Sequence, residues 1–244
     1  MQIQPPFVRP EHDRATIWRY VDFPKYVSML CESAIYFHRA DCYDRLFEGT
    51  LPELDVREHF GPRRARIEAL LEKSQIFGEA QAAILEGLER WYQHGPSSVF
   101  LSCWHINEHE NFAMWQIFGS VRQAVALSTT LDRLRAAVAQ PDVFVGEVQY
   151  FDYATDRIES EFHRAMPFMY KRKVYEYERE ARAVYFRDAR DDDDMGHLEP
   201  VDLHALIDRV IVAPYAGRWF ERAVRCVTEQ LGYDFDIARS SMEI

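Results

Sequence analysis

The pattern of apolar and polar positions predicts that the chain begins with a strand, a helix and a second strand. Residues 16–22 are β-branched and aromatic, and their two-residue alternation places Arg19 on one face of a strand and Tyr20 on the other. Residues 24–33 have apolar side chains at helical spacing and a proline in the first turn, where it is tolerated. Residues 34–39 are apolar and aromatic again, which predicts the second strand.

Apolar residues recur at helical spacing over the next long segment, residues 51–95. One Gly-Pro pair interrupts this segment at 61–62, and another ends it at 95–96. The charged residues between them are of both signs, as on helix faces in contact with water. We therefore expect a helical insertion before the central strand, and not an independent domain.

The second half of the chain alternates strand-like and helix-like segments without a regular crossover. The strand-like segments are 99–101, 123–128, 142–153, 175–186 and 206–213; a polar turn is expected at Ser102–Cys103, and Pro214 is expected to open the final helix. Because several strands follow one another directly, we predict an α+β fold with a mixed, largely antiparallel central sheet and flanking helices. The 244 residues are expected to form a single domain over 1–244, with terminal arms at 1–15 and 233–244.

The overall charge argues against some classes of binding partner. Lys and Arg number 29 against 40 Asp and Glu, a net charge of -11, which argues against general nucleic-acid or anionic-membrane binding. A local basic pocket for a phosphate-bearing ligand remains compatible with this charge. The four cysteines have no C-x-x-C spacing, and the N-terminus lacks a secretory pattern, so a cytoplasmic protein is expected. A small-molecule nucleotide or a protein is the expected partner, no membrane is expected, and homo-oligomerisation is left open.

A row of carboxylates is the sharpest chemical signal in the sequence. If 175–186 is a strand, Glu176, Glu178, Glu180 and Arg182 all project from one of its faces. Like charges in such a row repel one another unless a cation lies opposite, and Arg182 can hold one carboxylate in a bidentate pair. A remaining carboxylate could act as a general base or stabilise positive charge on a sugar ring. The alternative is a solvated edge strand or a helix face with ion pairs.

His105, Glu108 and His109 give a second chemical hypothesis, because H-x-x-E-H on a helix binds zinc in inverted zinc peptidases. Here the motif follows a strand directly, and its neighbouring asparagines are typical of a turn. A polar surface loop is therefore favoured over a zinc-dependent hydrolase, and no metal is expected. No glycine-rich phosphate loop occurs in the sequence, which removes support for ATP binding and for Rossmann-type dinucleotide binding.

Four blocks of sequence resemble a widespread bacterial family of unknown function. The matching residues are Trp18-Arg19-Tyr20 with the loop Asp41–Glu48, Ser102-Cys103-Trp104 with Met114-Trp115, Glu178 and Glu180 with Arg182, and Val212-Ala213-Pro214. The chain departs from the family pattern at Tyr43-Asp44-Arg45, where the family has Asn-Asp-Pro. The family carries no activity that could be transferred to this chain.

A more distant resemblance is to the ADP-ribosyltransferase superfamily, because Arg19, Ser102 and Glu178 or Glu180 occur in the superfamily's order on similar elements. This resemblance implies that Glu178 and Glu180 are catalytic, that NAD is the cofactor or substrate, and that the reaction is a transfer or a glycohydrolysis. It also implies one ligand pocket, for which the candidate residues are Arg19, Tyr20, Ser102, Trp104, Trp115 and Arg182. A role in a bacterial toxin or phage-defence system follows from the same resemblance. The alternative from another class is a non-catalytic module of a defence system that binds a ligand or a partner.

Overall fold

The computed structural model of the protein describes residues 13–43, 72–73, 75, 77–82, 95–152, 156, 165–187 and 195–242. Most of the predicted helical insertion at 51–95, the arm before residue 13 and the loop residues 44–48 lie outside the described residues. Within the described ranges, no helix has both the length and the apolar character needed to cross a membrane.

The described residues include eleven strands and six α-helices, besides helical residues at 72–73 and 79–82. The strands are β1 (Thr16–Asp22), β2 (Ala34–Arg39), β3 (Val99–Ile106), β4 (Ala124–Thr130), β5 (Val143–Glu147), β6 (Gln149–Phe151), β7 (Tyr170–Arg172), β8 (Glu180–Phe186), β9 (Gly196–Pro200), β10 (Arg209–Val212) and β11 (Asp236–Arg239). The helices are α1 (Phe23–Glu32), α2 (Phe112–Phe118), α3 (Leu131–Ala137), α4 (Met166–Met169), α5 (Leu203–Leu206) and α6 (Arg218–Gln230). Short 3-10 helices cover Ala40–Cys42, Gly95–Ser98 and Lys173–Glu178.

Nine of these strands make one sheet. Its order is β11-β10-β4-β1-β3-β2-β9, with β8 paired to β3 and β5 paired to β8, while β6 and β7 form a separate pair. All pairings in the large sheet are antiparallel except that of β10 with β11. The structure thus confirms an α+β fold with a mixed, largely antiparallel sheet and flanking helices.

The sheet divides at β3. One edge of β3 pairs with β8 from Val99 to His105, which is all of β3 except Ile106. The other edge is shared, because β1 pairs only with His105 and Ile106 and β2 pairs only with Phe100 and Leu101. A gap between β1 and β2 therefore opens beside the middle of β3.

The first half of the fold follows its local sequence signals. The side chain of Asp22 caps α1 by accepting the backbone N–H of Lys25 at 2.9 Å, and Pro24 lies in the first turn. Ser33 ends the helix in the left-handed conformation, with φ of 48°. The strands at 16–22 and 34–39 are confirmed with the predicted bounds.

Two predictions about strands are wrong. The expected turn at Ser102–Cys103 does not exist, because both residues lie inside β3, which continues to Ile106. The expected strand over 175–186 begins only at Glu180, because 173–178 form a 3-10 helix and Arg179 adopts a left-handed φ of 40°. Glu176 and Glu178 are therefore not part of a strand face.

The predicted terminal arm at 233–244 is also wrong over the residues described there. Asp236–Arg239 form β11, which pairs in parallel with β10. Beyond β11, the hydroxyls of Ser240 and Ser241 and the backbone N–H of Ser241 donate to the buried carboxylate of Glu110, at 2.6–2.8 Å. The final helix begins at Arg218 and not at Pro214, and Gly232 follows its end with a positive φ of 87°.

Two buried clusters lie on opposite faces of the β3–β8 pair. Cross-strand partners share a face, so Leu101 and Val184 lie on one side and Trp104 and Ala181 on the other. The smaller cluster contains Leu101 and Val184 together with the apolar side chains of α4. The larger cluster contains Trp104 and Ala181 and joins α1, α3, α5 and α6 to the sheet.

Candidate functional site

A buried network of four charged side chains lies on the smaller cluster's side of β8. The Lys171 ammonium on β7 donates to Glu178 Oε2 and to Glu180 Oε1, each at 2.5 Å. Arg182 donates from Nε at 2.9 Å and from Nη2 at 2.5 Å to Glu180 Oε2, and from Nη1 to the carbonyl of Phe168. Glu178 is 2% exposed, Glu180 5% and Arg182 0%, so the whole network is removed from water.

The backbone around Arg179 brings the two carboxylates together. The 3-10 helix ends at Glu178, and the Arg179 N–H closes the turn on the carbonyl of Glu176. The left-handed conformation of Arg179 then redirects the chain into β8, which starts at Glu180. Glu178 and Glu180 consequently approach Lys171 from two different elements. The Tyr150 hydroxyl of β6 accepts the Glu180 N–H at 2.8 Å and fixes the start of β8.

The surroundings shift the pKa values of the two carboxyl groups in opposite directions. Burial, followed by a hydrogen bond to Glu180, raises the pKa of Glu178. Burial alone would also raise the pKa of Glu180, but the charges of Arg182 and Lys171 outweigh it and hold that pKa well below its ordinary value. Glu180 is thus held in its ionised form, while the surroundings of Glu178 favour its protonated form.

Arg19 lies in the gap between β1 and β2. Its Nη1 donates to the Ser102 hydroxyl at 3.0 Å, and its Nη2 donates to the backbone carbonyl of Tyr36 at 2.6 Å. Trp104 Nε1 donates to the same hydroxyl at 3.2 Å, and the guanidinium lies 5.6 Å from the centre of the Trp104 ring. Arg19 therefore joins the two strands where no backbone pairing does so.

The register places Arg19 and Glu180 on opposite faces of the sheet at their Cα atoms. Arg19 and Ile17 lie on one face of β1, and the partner of Ile17, Ile106, shares that face with Trp104. Glu180 lies on the other face, together with its partner His105. The guanidinium lies in the gap and contacts Ser102 and Trp104, which belong to the face opposite to Glu180. Burial lowers the pKa of Arg19. The side chains of Cys103, Tyr43 and Tyr36 raise it, but by less than burial lowers it.

Cys103 links these two groups of residues. It is the cross-strand partner of Arg182, so its side chain projects from the face that carries the charged network. The thiol is also near Tyr43, whose hydroxyl lies 3.7 Å from Cys103 Sγ. Arg19 and the Glu178–Glu180 pair therefore lie beside the same stretch of β3 but on opposite faces of the sheet.

The prediction of one pocket that joins Arg19, Trp104, Trp115 and the glutamates is wrong. Trp115 on α2 packs edge-on against Tyr20 at a ring distance of 5.0 Å. Tyr20 projects from the face of β1 opposite to Arg19, so Trp115 and Trp104 lie on opposite sides of the sheet. Both tryptophans are at most 2% exposed, and each has the surroundings of a core residue.

Tyr20 also has a structural contact of its own. Its hydroxyl accepts the backbone N–H of Asn111 at 2.8 Å, next to the point where the Asn111 side chain caps α2. Its ligand-binding role stays a prediction, as do those of Arg19, Ser102 and Arg182.

His105 and His109 do not have the helical geometry on which the zinc hypothesis depends. His105 is a buried residue of β3, and His109 is exposed in the loop before α2. The Nδ1 atom of His105 lies 2.6 Å from the carbonyl of Glu178, an arrangement that requires Nδ1 to carry the proton. Burial also lowers the pKa of His105, which favours the neutral ring. His105 thus anchors the 3-10 helix that carries Glu178.

Sequence reasoning missed Lys171, which connects the two glutamates. It lies in a basic run, Lys171-Arg172-Lys173, that has no periodicity and no recognised motif. The only available signal was the physical requirement for a cation opposite neighbouring carboxylates.

Comparison with protein-family models, with curated proteins and with solved structures found no match to this chain.

Proposed function

We propose that the protein is an enzyme that cleaves the bond between nicotinamide and ribose in NAD or a related nucleotide, as an ADP-ribosyltransferase or an NAD glycohydrolase. The observation that carries this proposal is the opposite pKa shifts of Glu178 and Glu180 within one buried network. Environments that move the pKa values of two neighbouring carboxyl groups apart are typical of acid–base pairs in active sites.

The two glutamates would have different roles. Glu180 stays ionised, so it can stabilise the positive charge that develops on the ribose ring as nicotinamide leaves. Glu178, with its raised pKa, would accept the proton of the attacking water or acceptor hydroxyl. Lys171 and Arg182 hold Glu180 in place and keep it charged.

Arg19 and Ser102 would bind the nucleotide on the opposite face of β3, so a ligand that also contacts the glutamates would have to pass through the gap between β1 and β2. A guanidinium is suited to a phosphate group, and Arg19 is already oriented by Ser102 and the Tyr36 carbonyl. The described residues leave Glu178 and Glu180 almost completely covered, so substrate contact requires part of this packing to separate. A bacterial toxin or phage-defence role is proposed only through the family resemblance.

The pH dependence of nicotinamide release tests this proposal. A general base must be ionised, so the rate of release from NAD should fall as the pH decreases through the raised pKa of Glu178. Glu178→Gln should remove this dependence and lower the rate by about 10²–10⁴-fold. The measurement is chromatographic detection of nicotinamide across the pH range. A Glu178→Gln variant with the wild-type pH profile would contradict the role of Glu178.

A second candidate function has its own supporting observation. Lys171, Glu180 and Arg182 each have charged partners inside the network, which is also how buried charges are accommodated in a purely structural role. A network whose charges are paired internally is compatible with a non-catalytic module that binds a ligand or a partner. Folded protein that releases no nicotinamide but forms a stable complex with a partner would favour this candidate.

A further inference from the structure

A groove on α6 and β11 carries a concentration of positive charge that the overall composition does not suggest. It has a volume of about 320 Å³ and is lined by Arg218, Glu221, Arg222, Arg225 and Arg239. Four guanidiniums and one carboxylate give this groove a charge of +3, within a chain whose net charge is -11. A volume near 300 Å³ is at the lower end of the range for small-molecule sites.

Glu221 organises one half of the groove. Its Oε1 accepts from Nε and Nη2 of Arg225 at 3.1 and 3.0 Å, and its Oε2 accepts from Nη1 of Arg239 at 3.2 Å. Backbone carbonyls accept further hydrogen bonds from the same guanidiniums: Arg225 donates to the carbonyl of Ile237, and Arg239 donates to the carbonyl of Ala216. Two arginines are thus held in fixed orientations at the groove by a single carboxylate.

Arg218 and Arg222 make up the other half and have no such support. Both are exposed, and neither has a hydrogen bond or an ion pair with the part of the chain that the structure describes. They are four residues apart on α6, so their like charges repel each other on one side of the helix. They also lie in the first turns of α6, where the helix dipole disfavours positive charge. The fold itself gains nothing from this placement, whereas an anionic ligand would.

We propose that this groove binds a small ligand through a diphosphate group. Guanidinium groups bind phosphate oxygens in pairs of parallel hydrogen bonds, so two unpaired arginines above two fixed ones match two linked phosphates better than one. The backbone N–H groups at the start of α6 add to the same positive potential. The ligand class is a small diphosphate, and not a polymeric nucleic acid, because the net charge of the chain is -11.

The groove is separate from the glutamate pair. Arg239 lies on β11 and Glu180 on β8, and β10, β4, β1 and β3 lie between these strands. Five inter-strand spacings correspond to about 24 Å. Binding at the groove is therefore independent of the proposed NAD cleavage, and either proposal can fail without the other.

Calorimetric titration of inorganic pyrophosphate into the full chain at low ionic strength tests this inference. We expect saturable binding that is at least about tenfold tighter than binding of sulfate, because two linked phosphates can pair with more guanidinium groups than a single anion can. Arg218→Gln/Arg222→Gln should weaken pyrophosphate binding by about tenfold or more. These side chains have no partners in the described structure and repel each other, so the midpoint of thermal unfolding should stay the same or rise slightly.

The matched control removes two other exposed arginines. Arg133→Gln/Arg209→Gln changes the net charge equally but lies outside the groove, where each arginine pairs with an aspartate. This control should change the affinity for pyrophosphate by less than about twofold. The proposal is overturned if wild-type protein does not bind pyrophosphate, if sulfate binds equally well, or if the two double variants behave alike.

Discussion

Lys171→Met is expected to lower the free energy of unfolding by about 3–5 kcal/mol at pH 7, because it removes a cation that is shared by two buried carboxylates. Arg182 still pairs with Glu180 in this variant, but Glu178 loses its ion pair with Lys171. Methionine has a similar length and an apolar end, so the change removes the charge without leaving a large cavity. Urea denaturation measures the effect.

The destabilisation by Lys171→Met should depend on pH in a definite direction. Glu180 has a depressed pKa, so its contribution to stability is present above the unfolded value of about 4.3 and is lost as the pH falls through the folded pKa. Glu178 has a raised pKa, so its favourable contribution is present below about 4.3 and is lost as the pH rises through the folded pKa. Lys171 lowers both pKa values, and its removal therefore does most harm where both groups would be ionised. The loss of stability should be smaller at pH 5 than at pH 7.

Lys25→Met is the matched control for this experiment. Lys25 forms an ion pair with Asp22 at 2.8 Å, but the two side chains are 69% and 41% exposed. Exposed pairs of this kind contribute at most about 1 kcal/mol. A loss at Lys171 no larger than the loss at Lys25 would contradict the description of a buried, interdependent network.

Glu180→Gln is expected to lower the rate of nicotinamide release from NAD by about 10³-fold. The amide keeps the shape of the side chain but has no charge with which to stabilise the developing positive charge on ribose. Lys171 keeps Glu178 as its partner in this variant, whereas Arg182 retains only a neutral acceptor at this position. Some loss of stability is therefore expected as well, and the rate must be expressed per folded molecule.

Glu176→Gln provides the control for Glu180→Gln. Glu176 lies in the 3-10 helix that also contains Glu178, but its side chain is exposed. It therefore belongs to the glutamate row in the sequence but not to the buried network. Its substitution should leave the rate of nicotinamide release within about twofold of the wild-type rate. Equal rates in Glu176→Gln and Glu180→Gln would show that the buried pair has no chemical role.

The elements that were predicted correctly are those whose signals are local. The strand at 16–22 alternates strictly, and α1 has a side-chain cap, a first-turn proline and an apolar face. The sequence Tyr175–Phe186 alternates equally well, but its first part is a 3-10 helix. Arg179 is left-handed after this 3-10 helix, and Lys171 on β7 pairs with Glu178 at its end; neither feature is visible in a two-residue pattern.

The candidate site was found residue by residue but assembled incorrectly. Glu178, Glu180 and Arg182 do belong to one cluster, because a carboxylate row requires nearby cations. Trp104 and Trp115 were grouped because both are aromatic and close in sequence. Their separation depends on the path of the chain between β3 and α2, which places Trp115 against Tyr20. The sequence does not show on which side of the sheet the helix with Trp115 packs, so proximity in sequence does not place Trp115 beside Trp104.

The claim on which the proposed function depends is that Glu178 and Glu180 titrate in opposite directions inside one network. Carbon-13 NMR titration of the glutamate side-chain carboxyl groups measures this directly, with the two resonances assigned by Glu178→Gln and Glu180→Gln. One resonance should titrate above the ordinary glutamate pKa of about 4.3, and the other should remain that of an ionised carboxylate well below it. Two resonances that titrate together near the ordinary value would contradict the account.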